Sequence, residues 1–126
     1  MQKNIDKAYL LLKQLYGENS EFREGQLDAI EETLKNHRTL IVQKTGWGKS
    51  LVYFICTKIL REQNRGVTLV VSPLLVLMEN QIDAAKKLGL NCDALNSTTT
   101  DRRENIIQNM INDQLDLVLV TPRNII

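Results

Sequence analysis

Thr45, Gly46, Trp47, Gly48, Lys49 and Ser50 stand in one unbroken run, "TGWGKS", and these residue types together can hold an anion. Glycine adopts backbone conformations closed to other residues, so Gly46 and Gly48 let successive N–H groups converge on one charge. An amine and a hydroxyl follow at once. Lys49 can reach the β- and γ-phosphates of a nucleotide and is the catalytic candidate, while Ser50 can hold Mg²⁺. Trp47 lies within the same cradle, with packing against neighbouring helices as its plainer role. The full phosphate-loop pattern, Gly-x-x-x-x-Gly-Lys-Ser/Thr, asks for a glycine where this chain has Gln43.

Such a cradle works only if a strand delivers it and a helix leaves from it. Before the run stands "TLIV", and after it Leu51 to Glu62 is apolar at helical spacing. "VTLVVS" and "LDLVLVT" are further short apolar runs rich in β-branched residues, which suits strands buried on both faces, and "CDALN" is a weaker fourth. Helix-period segments separate them. Leu75 to Leu88 carries Leu75, Met78, Ile82 and Ala85 on one stripe, with Gly89 placed to stop it. Asp101 to about Asn112 follows the capping-type run "STTT". Two helices lead the chain. One ends near Gly17 with Ile5, Tyr9, Leu12 and Tyr16 at helical spacing, and the other carries Leu27, Ile30 and Leu34 on one face with Glu24 in its first turn. Alternating strands and helices predict a three-layer α/β domain with a mostly parallel sheet of about four strands. In such a sheet ligands bind beyond the carboxyl ends of the strands, where "QKTGWGKS" falls.

The 126 residues suffice for one domain, and their composition is that of a soluble globular chain. A net charge of +1 gives no bulk attraction to nucleic acid, so any such contact must come from local geometry. Cys56 and Cys92 fit no metal or redox spacing and read as reduced core thiols of an intracellular protein. No apolar run is long enough for a signal peptide core or a membrane span, so a cytoplasmic chain without membrane contact is expected. The lone His37 reads as a solvated loop residue.

Five segments together go further than the loop alone. "EFREGQLDAI", "TGWGKSLVYF", "VVSPLLVLMENQI", "LNSTTTDRRE" and "LVLVTPRNI" resemble, in order and spacing, the start of RecQ-family ATP-dependent DNA helicases of superfamily two, from about Tyr16 onward. Members of that superfamily often lack the first glycine of the loop. The resemblance implies a RecA-like fold, with residues 1–126 as the N-terminal part of the first motor lobe. Residues 1–36 would be leading helices with an adenine-reading motif, and residues 37–126 the phosphate-loop core. Arg23 and Gln26 match the family's base-reading pair, and an amide does offer one donor and one acceptor to an adenine edge. Lys44 would lie near the nucleotide. Family members often have proline where this chain has Glu24, and an aromatic upstream that stacks on the base. Either Tyr16 substitutes for that ring or the stack is absent. The cofactors implied are ATP and Mg²⁺.

A second ligand is implied by the later segments. Ser72-Pro73 and Thr121-Pro122 each follow a strand, and Ser or Thr followed by Pro is an efficient helix start that also aims free amides beyond the sheet. Similarity to helicase motifs Ia and Ib implies single-stranded DNA tracking across these turns, with Arg123, Asn80 and Gln81 adding polar contacts. The hydroxyls of "LNSTTT" either serve the same groove or cap the next helix.

Hydrolysis also needs a carboxylate from a second strand for the metal and a group to position water. The family supplies both from an Asp-Glu-x-His motif, which this sequence does not contain. Asp116 opens a strand at the end of the sheet away from the metal. The expectation is therefore a truncated lobe that binds nucleotide weakly and neither turns it over nor unwinds duplex alone. Apolar surface left open on its sheet would favour self-association. Within the family the parent would translocate 3′ to 5′, in the cytoplasm or at a bacterial nucleoid. The alternative is a freestanding nucleotide- and single-stranded-DNA-binding module without motor activity. A small kinase or oligomeric ATPase would leave "FREGQ" and both Ser/Thr-Pro turns unexplained.

Overall fold

The computed structural model describes residues 2–35, 48–72 and 78–124. The strand expected at "TLIV", with His37, Lys44 and Leu75, lies outside the described residues. Residues 1–63 and 64–126 form two compact units, and the division expected at residues 36–37 borders an undescribed segment.

The first unit holds three helices, α1 (Gln2–Tyr16), α2 (Gln26–Lys35) and α3 (Lys49–Glu62). The buried stripe of α1 is Ala8, Leu11 and Leu12, rotated from the one expected. Tyr9 is instead exposed and meets Phe22 edge-on, with ring centroids 5.0 Å apart. The helix stops where Gly17 takes a left-handed φ of +105° and donates its N–H to the Lys13 carbonyl at 2.8 Å. On α2 the buried face is Gln26, Ala29 and Ile30, while Leu27 and Leu34 are half-buried. Glu24 lies in the turn before this helix rather than in its first turn, where Asp28 takes the dipole-favoured acidic place. The most apolar of the three is α3, with Leu51, Val52, Phe54, Ile55, Cys56, Thr57 and Ile59 buried. So many buried positions leave it little exposed surface, and α1 and α2 both pack against it.

The second unit is a parallel α/β arrangement. Its strands are β1 (Thr68–Val71), β2 (Cys92–Leu95) and β3 (Leu117–Val120), joined through α4 (Met78–Lys87) and α5 (Arg103–Ile111). All pairings are parallel and β3 lies between the others, with Val120 opposite both Val71 and Leu95. Every residue of β3 is buried, as expected of a central strand covered on both faces. At the edge of the described sheet, β1 departs from that expectation: Leu69 and Val71 are more than half exposed. The cluster of Leu95, Ile106, Leu115, Val118 and Val120 fills one face beneath α5. Gly89 ends α4 as predicted, with φ +75° and its N–H on the Lys86 carbonyl at 2.9 Å.

The "STTT" run does not cap α5 with a side chain. A three-residue 3₁₀ turn, Thr100–Arg102, precedes α5 instead. The Thr99 hydroxyl turns back to donate to the Ala94 carbonyl at 2.9 Å and accept from the Asn96 N–H at 3.0 Å. The end of β2 thereby claims the hydroxyl that a cap would have used.

Cys56 and Cys92 are buried free thiols, as their placement in apolar segments predicts. Burial pushes each up to about 12, with the Asp93 carboxylate adding to the rise at Cys92. In the unfolded chain a thiol ionises near pH 9, so between about 9 and 12 the folded state holds the extra protons. Stability is therefore fully present below pH 9 and falls as pH rises towards 12. Native protein at pH 8 should leave both thiols unlabelled by a maleimide until denaturant is added. Rapid labelling of either in the native state would refute its burial.

Candidate functional site

Of the residues expected to form the phosphate loop, Gly48, Lys49 and Ser50 are described, at the start of α3. Gly48 caps this helix in a left-handed conformation, φ 95° and ψ 42°, and no side chain bonds the first-turn amides. Those N–H groups are the intrinsic anion site of a helix N-terminus, reinforced by its dipole. Lys49 follows, exposed, and Ser50 is half-buried beside it. Thr45, Gly46 and Trp47 lie outside the described residues.

Gln26 belongs to the same place. It is only 3% exposed, unusual for an amide, and hydrogen bonds hold its head group. Its Oε1 accepts the Arg23 backbone N–H at 2.8 Å, and its Nε2 reaches the Gly48 carbonyl at 3.4 Å. A β-carbon placed on Gly48 would come within 2.5 Å of that Nε2. The glycine thus permits both its own backbone conformation and the close approach of Gln26. A cavity of about 340 Å³ opens beside this contact, lined by Leu12, Tyr16, Arg23, Gln26, Gly48 and Leu51 among others. Arg23 and Gln26, paired on the sequence, share its wall. The ring of Tyr16 stands at its edge, 66% exposed. Leu12 and Leu51 were not expected at the site. Their signal lay in the sequence nonetheless, since Leu12 is one helical turn from Tyr16 and Leu51 one residue past Ser50.

The other expected contacts lie in the second unit. Ser72 and Thr121 leave the carboxyl ends of neighbouring strands: the Ser72 N–H bonds the Val120 carbonyl at 2.9 Å, and the Thr121 N–H bonds the Leu95 carbonyl at 3.2 Å. Pro122 and Arg123, both exposed, continue from Thr121 in a short 3₁₀ turn. Asn80 is exposed in the first turn of α4, and the neighbouring Gln81 has a buried Oε1 without a hydrogen-bond partner among the described residues. Pro73 lies outside the described residues. At the opposite end of the sheet, the Asp116 carboxylate accepts the Asn91 N–H at 2.8 Å. No cluster of three or more metal-ligating acids, histidines or cysteines occurs among the described residues, nor does any helix there have the length and apolarity to cross a membrane.

The sequence pattern of DEAD/DEAH box helicases matches residues 23–126, a span that begins at Arg23 and takes in the start of α3 and all three strand ends. The chain belongs to the DEAD/DEAH box helicase family. This helicase chain is 38% identical over 128 aligned positions to the ATP-dependent DNA helicase RecQ of Haemophilus influenzae, covering 99% of itself and 20% of that protein. It is 36% identical to the ATP-dependent DNA helicase RecQ of Bacillus subtilis, over 78% of its length and 16% of the relative's. A eukaryotic relative, the ATP-dependent DNA helicase hus2/rqh1 of Schizosaccharomyces pombe, is 39% identical over 82% of the chain and 8% of that protein. The helicase chain spans a fifth or less of the length of these curated relatives.

A magnesium nucleotide suits the donors at the start of the helicase chain's α3. The uncapped amides, the Lys49 ammonium and the Ser50 hydroxyl are hard donors and ligands matched to phosphate and Mg²⁺. The cavity beside them supplies apolar walls and an oriented amide, which is what a planar heterocycle requires.

Proposed function

We propose that this chain is the ATP-binding portion of a RecQ-type DNA helicase, the first part of its first RecA-like motor lobe. The parent enzyme couples ATP hydrolysis to 3′-to-5′ translocation and duplex unwinding in the cytoplasm. One observation carries the reading: the Gln26 amide is buried, oriented by the Arg23 backbone, and in contact with the glycine that opens the phosphate-binding helix. An arrangement that ties a cavity to a helix N-terminus suits a nucleotide.

In this reading Gln26 and Arg23 hold adenine and Tyr16 covers its face. The loop residues Thr45, Gly46, Trp47 and Gly48 cradle the phosphates with Lys49, and Ser50 binds Mg²⁺. Residues 1–36 and 37–126 are the corresponding functional division. Single-stranded DNA runs over Ser72, Pro73, Thr121, Pro122 and Arg123, with Asn80 and Gln81 beside it. The adjacency of the Ser72 and Thr121 turns supports such a track. Alone, the 126 residues bind nucleotide weakly and turn it over poorly, since their sequence contains no Asp-Glu-x-His tetrad. The exposed Leu69 and Val71 on β1 favour self-association at high concentration.

Titration with a fluorescent ATP analogue tests the base-reading half of the proposal. Gln26→Ala removes two hydrogen bonds of about 1 kcal/mol each. Affinity for ATP should fall by about thirtyfold, and the preference for ATP over GTP should disappear. Unchanged affinity and unchanged preference in that variant would reduce the site to phosphate capture without adenine recognition.

A further inference from the structure

At the end of β2 lies a second cavity, of about 690 Å³, whose lining includes Met78, Glu79, Ile82, Asn96, Thr98 and Arg102. We propose that this cavity is a nucleobase subsite for single-stranded DNA, and that guanine is the base it fits best. The inference rests on the DNA-binding reading above and extends it to a third strand end.

Position is the first argument. The Thr121 N–H bonds the Leu95 carbonyl, and Asn96 is the next residue after Leu95. A strand of DNA that crosses the Ser72 and Thr121 turns therefore reaches the end of β2 next.

Unmet hydrogen bonding is the second. Asn96 is 5% exposed, and its Oδ1 accepts both the Thr98 N–H at 2.8 Å and the Thr98 hydroxyl at 2.6 Å. Its Nδ2 has only the Met78 thioether, at 3.3 Å, among the described residues. A thioether is a weak acceptor, so a buried amide donor beside the cavity is left short of a good partner.

Charge then separates a base from a phosphate. Arg102 is the cation of the lining, and its Nη1 is engaged by both carboxylate oxygens of Asp93, at 3.1 and 3.3 Å. Glu79 is exposed in the first turn of α4, where it repels phosphate and accepts from N–H groups. Together the cavity offers an amide donor, a carboxylate acceptor and the apolar sides of Met78 and Ile82. Guanine complements that set most fully, with O6 for the amide and N1–H and N2–H for the carboxylate. Adenine and cytosine present one amino donor, and thymine flanks its single N–H with two carbonyl oxygens that a carboxylate repels. The backbone phosphates stay at the Ser72 and Thr121 turns while one base turns inward.

Fluorescence anisotropy with the 126-residue chain tests this, using labelled oligothymidylate and an alternating thymidine–guanosine oligomer of equal length. The alternating oligomer should bind about tenfold more tightly. Glu79→Gln should bring the two affinities to near parity. It also removes a negative surface charge and so raises affinity for both oligomers alike, and the ratio between them is the readout. Equal affinities in wild type, or a preference that survives Glu79→Gln, overturn the guanine subsite while leaving DNA binding standing. Failure of the wild-type chain to bind either oligomer overturns both.

Discussion

Replacing Lys49 with alanine should weaken nucleotide binding about a hundredfold and leave the fold unchanged. The side chain is exposed at the first position of α3, so it contributes no core packing, and alanine is a better helix former than lysine by a small margin. In the proposed role its ammonium would make charge-assisted bonds to phosphate of about 1.5 to 3 kcal/mol each. A loss of about 3 kcal/mol corresponds to roughly a hundredfold in Kd. Calorimetric titration with ATP and magnesium reads the affinity, and thermal melting by circular dichroism checks the fold. Equal Kd values for variant and wild type would remove the phosphate site. A collapsed melting temperature would instead make Lys49 a structural residue.

The elements of this fold that could be read from the sequence are those whose patterns answer to one local cause. The continuous apolar runs "VTLVVS" and "LDLVLVT" became strands, and Gly17 and Gly89 ended helices because a left-handed residue was needed there. Even the weak candidate "CDALN" is a strand, β2, paired to β3 along its length. What could not be read depended on partners distant in sequence. Leu69 and Val71 look like core residues until the order β1-β3-β2 places them at the edge of the described sheet. Thr99 looks like a helix cap until the end of β2 supplies a nearer carbonyl. The stripe of α1 was displaced by the burial of Ala8 and Leu11, because an alanine allows close approach that periodicity alone does not register.

At the site the same division holds. Arg23 and Gln26, paired on the sequence, do share one cavity wall, and Lys49 and Ser50 do open a helix, because each of those placements follows from local spacing. The contact between Gln26 and Gly48 was not legible, because 22 positions separate the two residues and nothing in the composition of either points to the other. Tyr16 was ambiguous for a related reason. Its place on the helical stripe of α1 argued for burial, yet it is the exposed ring at the edge of the cavity. A residue four positions past Leu12, the last of the buried stripe, can serve a ligand only if the neighbouring chain leaves space there, which the Ser20–Arg23 segment does.

Gly48→Ala follows from that long-range contact and should damage the site in two separable ways. The backbone at φ 95° is strained for any residue with a β-carbon, by about 1 to 2 kcal/mol. The new methyl group would also come within 2.5 Å of the Gln26 Nε2, so either the first turn of α3 unwinds or the amide swings out of the cavity wall. The single variant should lose about 2 to 3 kcal/mol of stability, a drop of several degrees in melting temperature, and nucleotide affinity with it. The double variant Gly48→Ala with Gln26→Ala separates the two effects. Removing the amide relieves the overlap and leaves the backbone strain, so the combined loss should fall short of the sum of the single losses by about 1 kcal/mol. Strict additivity would mean that the glycine is needed for its backbone alone and that the two residues are not coupled. A Gly48→Ala variant as stable and as tight-binding as wild type would mean that α3 does not begin in the left-handed conformation, and the convergence of Gln26 on the start of α3 would go with it.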